Sequence, residues 1–171
     1  MKLIEHFING KKFSGDSKKT GKVFNPATGE QTAEVKLGNN KDLISAVESA
    51  KNAFKSWSNK PPVQRARIIF KFKDLIEKNS DELTKIIVSE HGKVYEDAKG
   101  SLNRGLEVVE YACGIPQMLK GEFTENVGTN VDSWSIRQPL GVCAGITPFN
   151  FPAMVPMWMF PMAIACGNTF V

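Results

Sequence analysis

A short loop near the carboxyl end of the chain holds the residues best suited to chemistry. It reads Thr-Pro-Phe-Asn-Phe-Pro over residues 147–152 and follows a continuous apolar run at 141–147. Ligands of open α/β sheets bind just beyond the carboxyl ends of the strands, where this loop would lie. Between its two prolines stands Asn150, whose carboxamide can donate hydrogen bonds. A rigidly held donor of this kind suits an oxyanion hole, which stabilises charge that develops only in the transition state.

The carboxamide of Asn150 also has an ordinary structural interpretation. It could cap the helix that the chain enters through Pro152, or it could hydrogen-bond within its own loop. The residue types and their spacing alone favour this structural interpretation over the oxyanion hole. Both interpretations stay open until more than spacing is considered.

Arg104 is the second candidate, and it lies in the run Leu-Asn-Arg-Gly-Leu of a predicted helix at 102–106. A guanidinium can hold a carboxylate through two parallel hydrogen bonds. The alternative is a surface ion pair with Glu107 at helical spacing, which would contribute little to stability. From the residues alone, this ion pair is the favoured interpretation.

Composition argues against nucleic acid and metal ions as ligands. The 171 residues carry a net charge of +4, and basic groups such as Lys18-Lys19 are dispersed. A nucleic-acid surface needs a concentrated basic stripe, and the sequence has none. Cys113, Cys143 and Cys166 are widely spaced, and no CxxC motif suggests zinc. Buried, reduced thiols favour a cytoplasmic protein, or the mitochondrial matrix if the source is eukaryotic.

The run from residue 138 to residue 171 contains no charged residue and is long enough to suggest a membrane span. Prolines, glycines and asparagines interrupt it repeatedly, and a spanning helix rarely tolerates so many breaks. A buried strand, a loop and a buried helix explain the run better. We therefore expect no membrane span, and the opening apolar stretch is too short for a signal peptide.

The first 120 residues read as hairpins followed by helices. Asn9-Gly10 is a strong hairpin signal, and a second strand pair is expected at 22–25 and 32–36. Apolar residues then recur at helical spacing in four segments. Asn40 is expected to cap the first helix, and Pro61-Pro62 to start the second. The third helix would begin at the cap Asn79-Ser80 and end at Gly92, and the fourth is expected to be long, over 95–119.

The remaining residues return to strand character. Apolar and polar residues alternate over 121–139, which predicts an exposed ribbon, whereas the run at 141–147 suits a strand covered on both faces. A helix that is apolar nearly all round is expected at 153–166, followed by a strand at 168–171. Strand, loop, helix and strand form the opening of a βαβ unit. Because the chain stops inside the second strand, we expect a fragment of something longer.

Two groups of motifs carry a family resemblance. Gln-Pro-Leu-Gly-Val-Cys at 138–143 and Ile-Thr-Pro-Phe-Asn-Phe-Pro at 146–152 resemble the aldehyde dehydrogenase superfamily. Met-Trp-Met-Phe-Pro-Met-Ala at 157–163 and Cys-Gly-Asn-Thr at 166–169 are similar to one branch of it, the methylmalonate-semialdehyde dehydrogenases. So many matched positions are poorly explained by chance.

The resemblance implies an α/β fold, of which this chain would be the amino-terminal part. Residues 1–120 would be hairpins and helices of an NAD-binding domain, 121–139 an oligomerisation ribbon, and 140–171 the start of a Rossmann-like sheet. The same resemblance implies a homo-oligomer, a dimer or a tetramer, formed through the ribbon.

The resemblance also implies a mechanism. A cysteine thiolate attacks the aldehyde carbon, and the side chain of Asn150 with a backbone amide holds the oxyanion. Hydride then passes to NAD and leaves a thioester. Water releases the acid in most of the superfamily, whereas in this branch coenzyme A takes the acyl group and carbon dioxide is lost. The hydrolytic chemistry of another branch, or a non-catalytic assembly module, is the alternative.

Particular residues receive roles from the same resemblance. Thr147 and Phe149, together with Ile146 and Pro148, match positions at the nicotinamide cofactor. Arg104 matches a clamp for the carboxylate of the substrate, which reverses the preference for a surface ion pair.

Three features of the sequence depart from a complete enzyme of this kind. The GxGxxG fingerprint of dinucleotide-binding folds is absent, although the superfamily does not use that pattern. None of the three cysteines stands in the motif that surrounds the nucleophile, and the expected glutamate positions are missing. We therefore expect the nucleophile to lie outside these 171 residues.

Overall fold

Short strands at the start of the chain form two small sheets. The structure is a computed structural model and describes residues 2–171. The first five strands are β1 (Lys2–Ile4), β2 (His6–Ile8), β3 (Lys11–Phe13), β4 (Thr20–Phe24) and β5 (Gln31–Lys36). β2 and β3 form the predicted hairpin, in which Asn9 and Gly10 both have positive φ, at 55° and 73°. The second predicted pair is also confirmed, since β4 lies antiparallel to β5, while β1 adds to the other side of β5 in parallel.

Five helices follow the sheets. They are α1 (Asn40–Trp57), α2 (Pro62–Lys78), α3 (Ser80–His91), α4 (Tyr95–Cys113) and α5 (Ile115–Met118). The predicted starts at Pro62 and Ser80 are confirmed, as is the end at Gly92, which is left-handed at φ 81°. The predicted start of the long helix at Tyr95 is confirmed, but its predicted end at 119 is wrong, because α4 ends at Cys113 and a separate short helix, α5, follows Gly114.

Two predicted helix caps need correction. The cap of α1 is Asn39 and not Asn40, because Asp42 stands three residues after Asn39 and completes a capping box with it. The side-chain oxygen of Asn39 accepts from the amides of Lys41 at 2.8 Å and Asp42 at 3.1 Å. The side chain of Asn79 does not cap α3, since its amide donates back to the carbonyl of Leu75 at 2.7 Å.

The carboxylate of Asp42 joins the start of α1 to the loop before β4. It accepts from the backbone amides of Asp16 at 2.7 Å and Asn39 at 2.9 Å, and it is 4% exposed. Gly15 beside it has φ +70°, and a side-chain carbon there would lie 2.7 Å from the carboxylate oxygen. Hydrogen bonds from the amides of Asp16 and Asn39 hold the pKa of Asp42 below its usual range.

Asp42→Asn should therefore lower Tm at neutral pH, because an amide nitrogen in place of one oxygen faces backbone donors. The depressed pKa means that the stabilisation from the charged carboxylate is present above its unfolded pKa, about 3.9, and is lost as the pH falls through the folded pKa. Calorimetry of wild type and variant between pH 7 and pH 3 checks this. The Tm difference should shrink at the acidic end, while Asp16→Asn, at an exposed ion pair with Lys41, should change Tm little throughout. A difference that is constant with pH would contradict the assignment.

α4 is the central helix of the core and packs against α2, α3 and α6 (Met154–Ala165). Ala98, Leu102, Val109 and Ala112 on α4 are at most 2% exposed. The crossing of α4 and α6 is close at Gly105, where a side-chain carbon would lie 3.1 Å from Cα of Met154 and would meet the terminal methyl of Met157. Glycine at residue 105 thus lets the two helix backbones approach.

The predicted βαβ unit is confirmed. β8 (Val142–Cys143) and β9 (Thr169–Phe170) pair in parallel, and α6 connects them. β8 is shorter than the predicted strand over 141–147 and only half-buried, because residues 2–171 do not cover both of its faces. The side-chain oxygen of Asn168 accepts from the amides of Leu140 at 2.6 Å and Gly141 at 3.1 Å, which fixes the two strands to each other.

The buried side chain of Arg65 holds the other end of this unit. Its Nε donates to the carbonyl of Ala165 at 2.9 Å, at the carboxyl end of α6. A cation there also meets the negative end of the helix dipole. Burial lowers the pKa of the Arg65 guanidinium from its ordinary value.

The ribbon predicted at 121–139 consists of β6 (Phe123–Gly128) and β7 (Val131–Trp134), which pair antiparallel. Every residue of both strands is exposed, so the ribbon stands apart from the core. In the part of the chain that the structure describes, no helix is long and apolar enough to cross a membrane.

Candidate active site

The loop at 147–152 lies between β8 and the start of α6, as predicted, at the carboxyl end of a parallel strand. Phe149 in this loop is 91% exposed, and Ile146 just before the loop is 97% exposed. Thr147 and Pro148 between them are exposed as well. All four residues to which the family resemblance gives a cofactor role are thus open to solvent.

The side chain of Asn150 does not cap the following helix. Ala153 is the N-cap of α6, and no side chain caps that end. Asn150 is exposed, and within residues 2–171 its carboxamide makes no hydrogen bond. The capping role that spacing favoured is thus wrong, because Asn150 stands three residues before the N-cap. Its donors remain available to a ligand.

The backbone of Asn150 is held by a residue that the sequence did not single out. Nζ of Lys93, in the turn between α3 and α4, donates to the carbonyl oxygen of Asn150 at 3.2 Å. The same Nζ lies 4.4 Å from the ring centroid of Phe151. The two contacts join residues 57 and 58 positions apart, and a lone lysine after a helix-ending glycine gives no signal of them.

Arg104 lies beside the first turn of α6. Its neighbour Gly105 packs against Met154, the first residue of α6, and Nε1 of Trp158 donates to the carbonyl of Arg104 at 3.3 Å. The side chain is exposed, and within residues 2–171 it forms no ion pair with Glu107 or with any other acid. The helix crossing thus brings Arg104 to the end of α6 that the Asn150 loop precedes.

Two of the three cysteines lie in surroundings that disfavour a nucleophilic thiolate. All three are free, and burial raises the pKa of both Cys113 and Cys166, which disfavours the thiolate. No group of His, Cys, Asp and Glu side chains among residues 2–171 could hold a metal ion. The described site therefore supplies hydrogen-bond donors and a cation, and none of the three cysteines lies in its loop at 147–152.

A cleft of about 980 Å³ lies away from this loop, between the β2–β3 hairpin, α1 and β9. Its lining includes His6, Trp57 and Phe170, and none of the predicted site residues. It is a mostly apolar space, and size alone does not assign it a function.

Comparison with known proteins gives a consistent picture. The aldehyde dehydrogenase family matches residues 13–171. The chain is 53% identical over 171 residues to the malonate-semialdehyde dehydrogenase of Pseudomonas aeruginosa, covering 100% of this chain and 34% of the relative. It is 49% identical over 168 residues to the acylating mitochondrial methylmalonate-semialdehyde dehydrogenase of Arabidopsis thaliana, covering 98% of this chain and 28% of the relative.

Solved structures agree with the sequence comparisons. A structure described as a methylmalonate-semialdehyde dehydrogenase from Sinorhizobium meliloti 1021, complexed with NAD, superposes with a TM-score of 0.96 at 52% identity. The corresponding enzyme from Oceanimonas doudoroffii gives 0.95 at 54% identity. Each superposition covers 99% of this chain and 35% of the other. The chain thus spans about a third of the length of the relatives it matches.

Proposed function

The chain belongs to the aldehyde dehydrogenase family, and we propose that it is the amino-terminal part of an enzyme that oxidises a carboxylated semialdehyde with NAD. The observation that carries this proposal is the Asn150 carboxamide, which is exposed, has no hydrogen-bond partner within residues 2–171 and lies in the loop that follows the carboxyl end of β8. The relatives that match the whole chain are named for malonate and methylmalonate semialdehyde. We call this chain together with the remaining two thirds of such an enzyme the full-length enzyme.

Asn150 would act as an oxyanion donor. When a thiolate adds to the carbonyl carbon, the double-bond electrons move to the oxygen, which becomes negatively charged. A carboxamide N–H aimed at that oxygen stabilises this charge and does little for the neutral ground state. The thiolate would come from a part of the full-length enzyme beyond these residues, because none of the three cysteines lies in the loop at 147–152 and burial raises the pKa of Cys113 and Cys166.

Arg104 would hold the carboxylate of the substrate. Its guanidinium is exposed and unpaired within residues 2–171, so it is free to form two parallel hydrogen bonds with an incoming carboxylate. Because α4 crosses α6 at Gly105, Arg104 lies at the same end of α6 as the Asn150 loop. This placement would let one substrate meet both side chains.

The exposed segment at 146–149 would bind the nicotinamide end of NAD. Ile146 and Phe149 are more than nine-tenths exposed, and a flat ring laid against either would remove apolar area from water. The hydroxyl of Thr147 could satisfy a polar group at the edge of such a ring. When bound, NAD supplies the hydride acceptor for the oxidation.

We propose coenzyme A as the co-substrate that releases the acyl group. Malonate semialdehyde, NAD⁺ and coenzyme A would give acetyl-coenzyme A, carbon dioxide and NADH, and the methylmalonate homologue would give propionyl-coenzyme A. The word acylating in the name of the Arabidopsis relative supports this acceptor. Free cysteines support a reducing compartment, and we propose the cytoplasm, or the mitochondrial matrix in a eukaryotic source.

The proposed reaction is tested by incubating the full-length enzyme with malonate semialdehyde, NAD and coenzyme A, with NADH followed by absorbance and the products by mass spectrometry. We expect NADH and acetyl-coenzyme A in equal amounts, and no turnover by the 171-residue chain alone. NADH formation with a free acid as product would favour the hydrolytic branch. No NADH with any aldehyde would contradict the proposal and favour a non-catalytic module.

We further propose the domain division and the oligomer. Residues 1–120 and 140–171 would belong to the NAD-binding domain, and the ribbon at 121–139 would bind a second copy of the chain. The ribbon supports this role, because Phe123 on β6, Trp134 on β7 and Ile136 just after β7 are each at least 60% exposed. Within residues 2–171, β6 and β7 pair only with each other, so each has an unpaired edge.

Replacing Trp134 and Ile136 together by lysine should shift the full-length enzyme to smaller species. Two charges on an apolar contact would remain desolvated in the oligomer, which opposes association. Light scattering coupled to size exclusion measures the molar mass. Ser45→Lys with Ser89→Lys adds the same charge on exposed helix positions and should leave the mass unchanged. An unchanged mass for the ribbon variant would contradict the assignment.

A further inference from the structure

We propose that Lys93 is a positioning residue that orients the Asn150 carboxamide for the reaction. This inference rests on the proposed role of Asn150 as an oxyanion donor. Lys93 lies on the turn between α3 and α4, and it contacts the loop at two consecutive residues without touching the carboxamide itself.

The two contacts of Lys93 fix the loop in different directions. The hydrogen bond from Nζ to the carbonyl oxygen of Asn150 is 3.2 Å long and fixes the peptide group that follows Asn150. The position of Nζ 4.4 Å from the ring centroid of Phe151 attracts the cation to the face of the ring and limits rotation of that side chain. Together they restrict the backbone on the carboxyl side of Asn150.

The start of the Lys93 side chain is itself held in place. α3 ends at Gly92 with φ +81°, a conformation that side-chain-bearing residues rarely adopt. A side-chain carbon at residue 92 would lie 2.9 Å from Cγ of Pro26, so the turn packs directly on the β4–β5 connection. That connection is closed by the hydrogen bond from the amide of Gly29 to the carbonyl of Asn25 at 2.8 Å.

The loop at 147–152 has few contacts of its own that would fix the orientation of Asn150. Asn150 is exposed and precedes the helix, and no side chain caps the start of α6. Within residues 2–171, no other side chain donates a hydrogen bond to the loop at 147–152. Losing Lys93 would therefore leave the carboxamide free to sample more orientations, and an oxyanion donor works only when it is aimed before the charge develops.

The consequence is specific to kcat. Misplacement of a catalytic group by about 1 Å can cost on the order of 100-fold in rate, whereas binding of NAD through other residues is unaffected. We expect Lys93→Met in the full-length enzyme to lower kcat on the order of 10- to 100-fold, with KM for NAD within about twofold of wild type. Lys93→Arg keeps a cation that can donate to a carbonyl and stack on a ring, and it should restore most of the rate.

Hydrogen–deuterium exchange supplies a readout that does not depend on turnover. In Lys93→Met, the amide of Val155, which donates to the carbonyl of the loop residue Phe151 at 3.3 Å, should exchange faster, while the α4 core around Leu102 exchanges as in wild type. Lys71→Met, which removes the same charge from an exposed position on α2, should change neither exchange at Val155 nor kcat.

The outcomes separate this inference from the proposed function. If wild type forms no NADH, the proposed function fails, and the exchange measurement alone decides whether Lys93 orders the loop. If wild type turns over, three results would overturn the inference: Lys93→Met with normal kcat, Lys93→Arg as impaired as Lys93→Met, or faster exchange throughout the chain. A fall in kcat confined to Lys93→Met, with faster exchange at Val155 and not around Leu102, supports it.

Discussion

Asn150→Ala in the full-length enzyme is expected to lower kcat on the order of 10²–10³-fold, the usual cost of removing one oxyanion donor. The carboxamide has no hydrogen-bond partner within residues 2–171, so the substitution breaks no contact that stabilises the fold. Tm should therefore stay close to wild type, and the Kd for NAD should change little. Steady-state kinetics, equilibrium titration with NAD and calorimetry measure the three quantities.

Asn150→Asp provides the matched comparison. It keeps the shape of the side chain but replaces the N–H donors with a negative oxygen that would repel the developing charge, so it should be at least as impaired as Asn150→Ala. Asn52→Ala removes an exposed carboxamide from α1 and should leave kcat unchanged. Near-normal kcat in both Asn150 variants would show that Asn150 is only a loop residue.

Arg104→Leu should harm substrates that bear a carboxylate and spare those that do not. Breaking a desolvated arginine–carboxylate contact costs roughly 2–5 kcal/mol. At about 1.4 kcal/mol per decade, kcat/KM for malonate semialdehyde should fall on the order of 30- to several-thousand-fold. Propionaldehyde has no carboxylate, so its kcat/KM should hold or rise. The ratio of the two values is the measurement, since it cancels errors in active enzyme concentration.

The helix should survive this substitution, because leucine is a good helix former and the side chain of Arg104 makes no ion pair within residues 2–171. Arg67→Leu, at an exposed arginine on α2, should leave the ratio unchanged. Equal loss on both aldehydes would indicate damage to folding or to NAD binding. An unchanged ratio would remove the residue-level support for a carboxylated substrate, while membership of the family would stand.

The sequence predicts turns and helix ends well where the backbone conformation of one or two residues decides them. Asn9-Gly10 predicted a hairpin because only residues tolerant of positive φ fit its turn, and both do adopt positive φ. Gly92 predicted a helix end for the same reason. The cap of α1 was misplaced by one residue because two asparagines are adjacent, and only the position of Asp42 decides between them.

Features that depend on tertiary contacts could not be predicted from the sequence in this way. Spacing favoured Asn150 as a cap, but α6 begins only at Met154 with Ala153 as its N-cap, so Asn150 stands too far before the helix to cap it. Lys93 was missed because its partners lie 57 and 58 residues away. The apolar run at 141–147 predicts a strand buried on both faces, yet Ile146 is 97% exposed. An apolar pattern indicates that a residue will be buried, but it does not identify the surface that buries it.

The contact at Gly105 has a consequence for how sequences related to this one can diverge. Residue 105 meets the Cα of Met154 so closely that any side chain there would push the two helices apart, whereas residue 104 next to it is exposed. Mutations at 104 therefore carry almost no penalty in folding and mutations at 105 carry a large one. If Arg104 holds the substrate carboxylate as proposed, aldehyde preference can change by one substitution at residue 104 without disturbing the packing of α4 on α6 at Gly105.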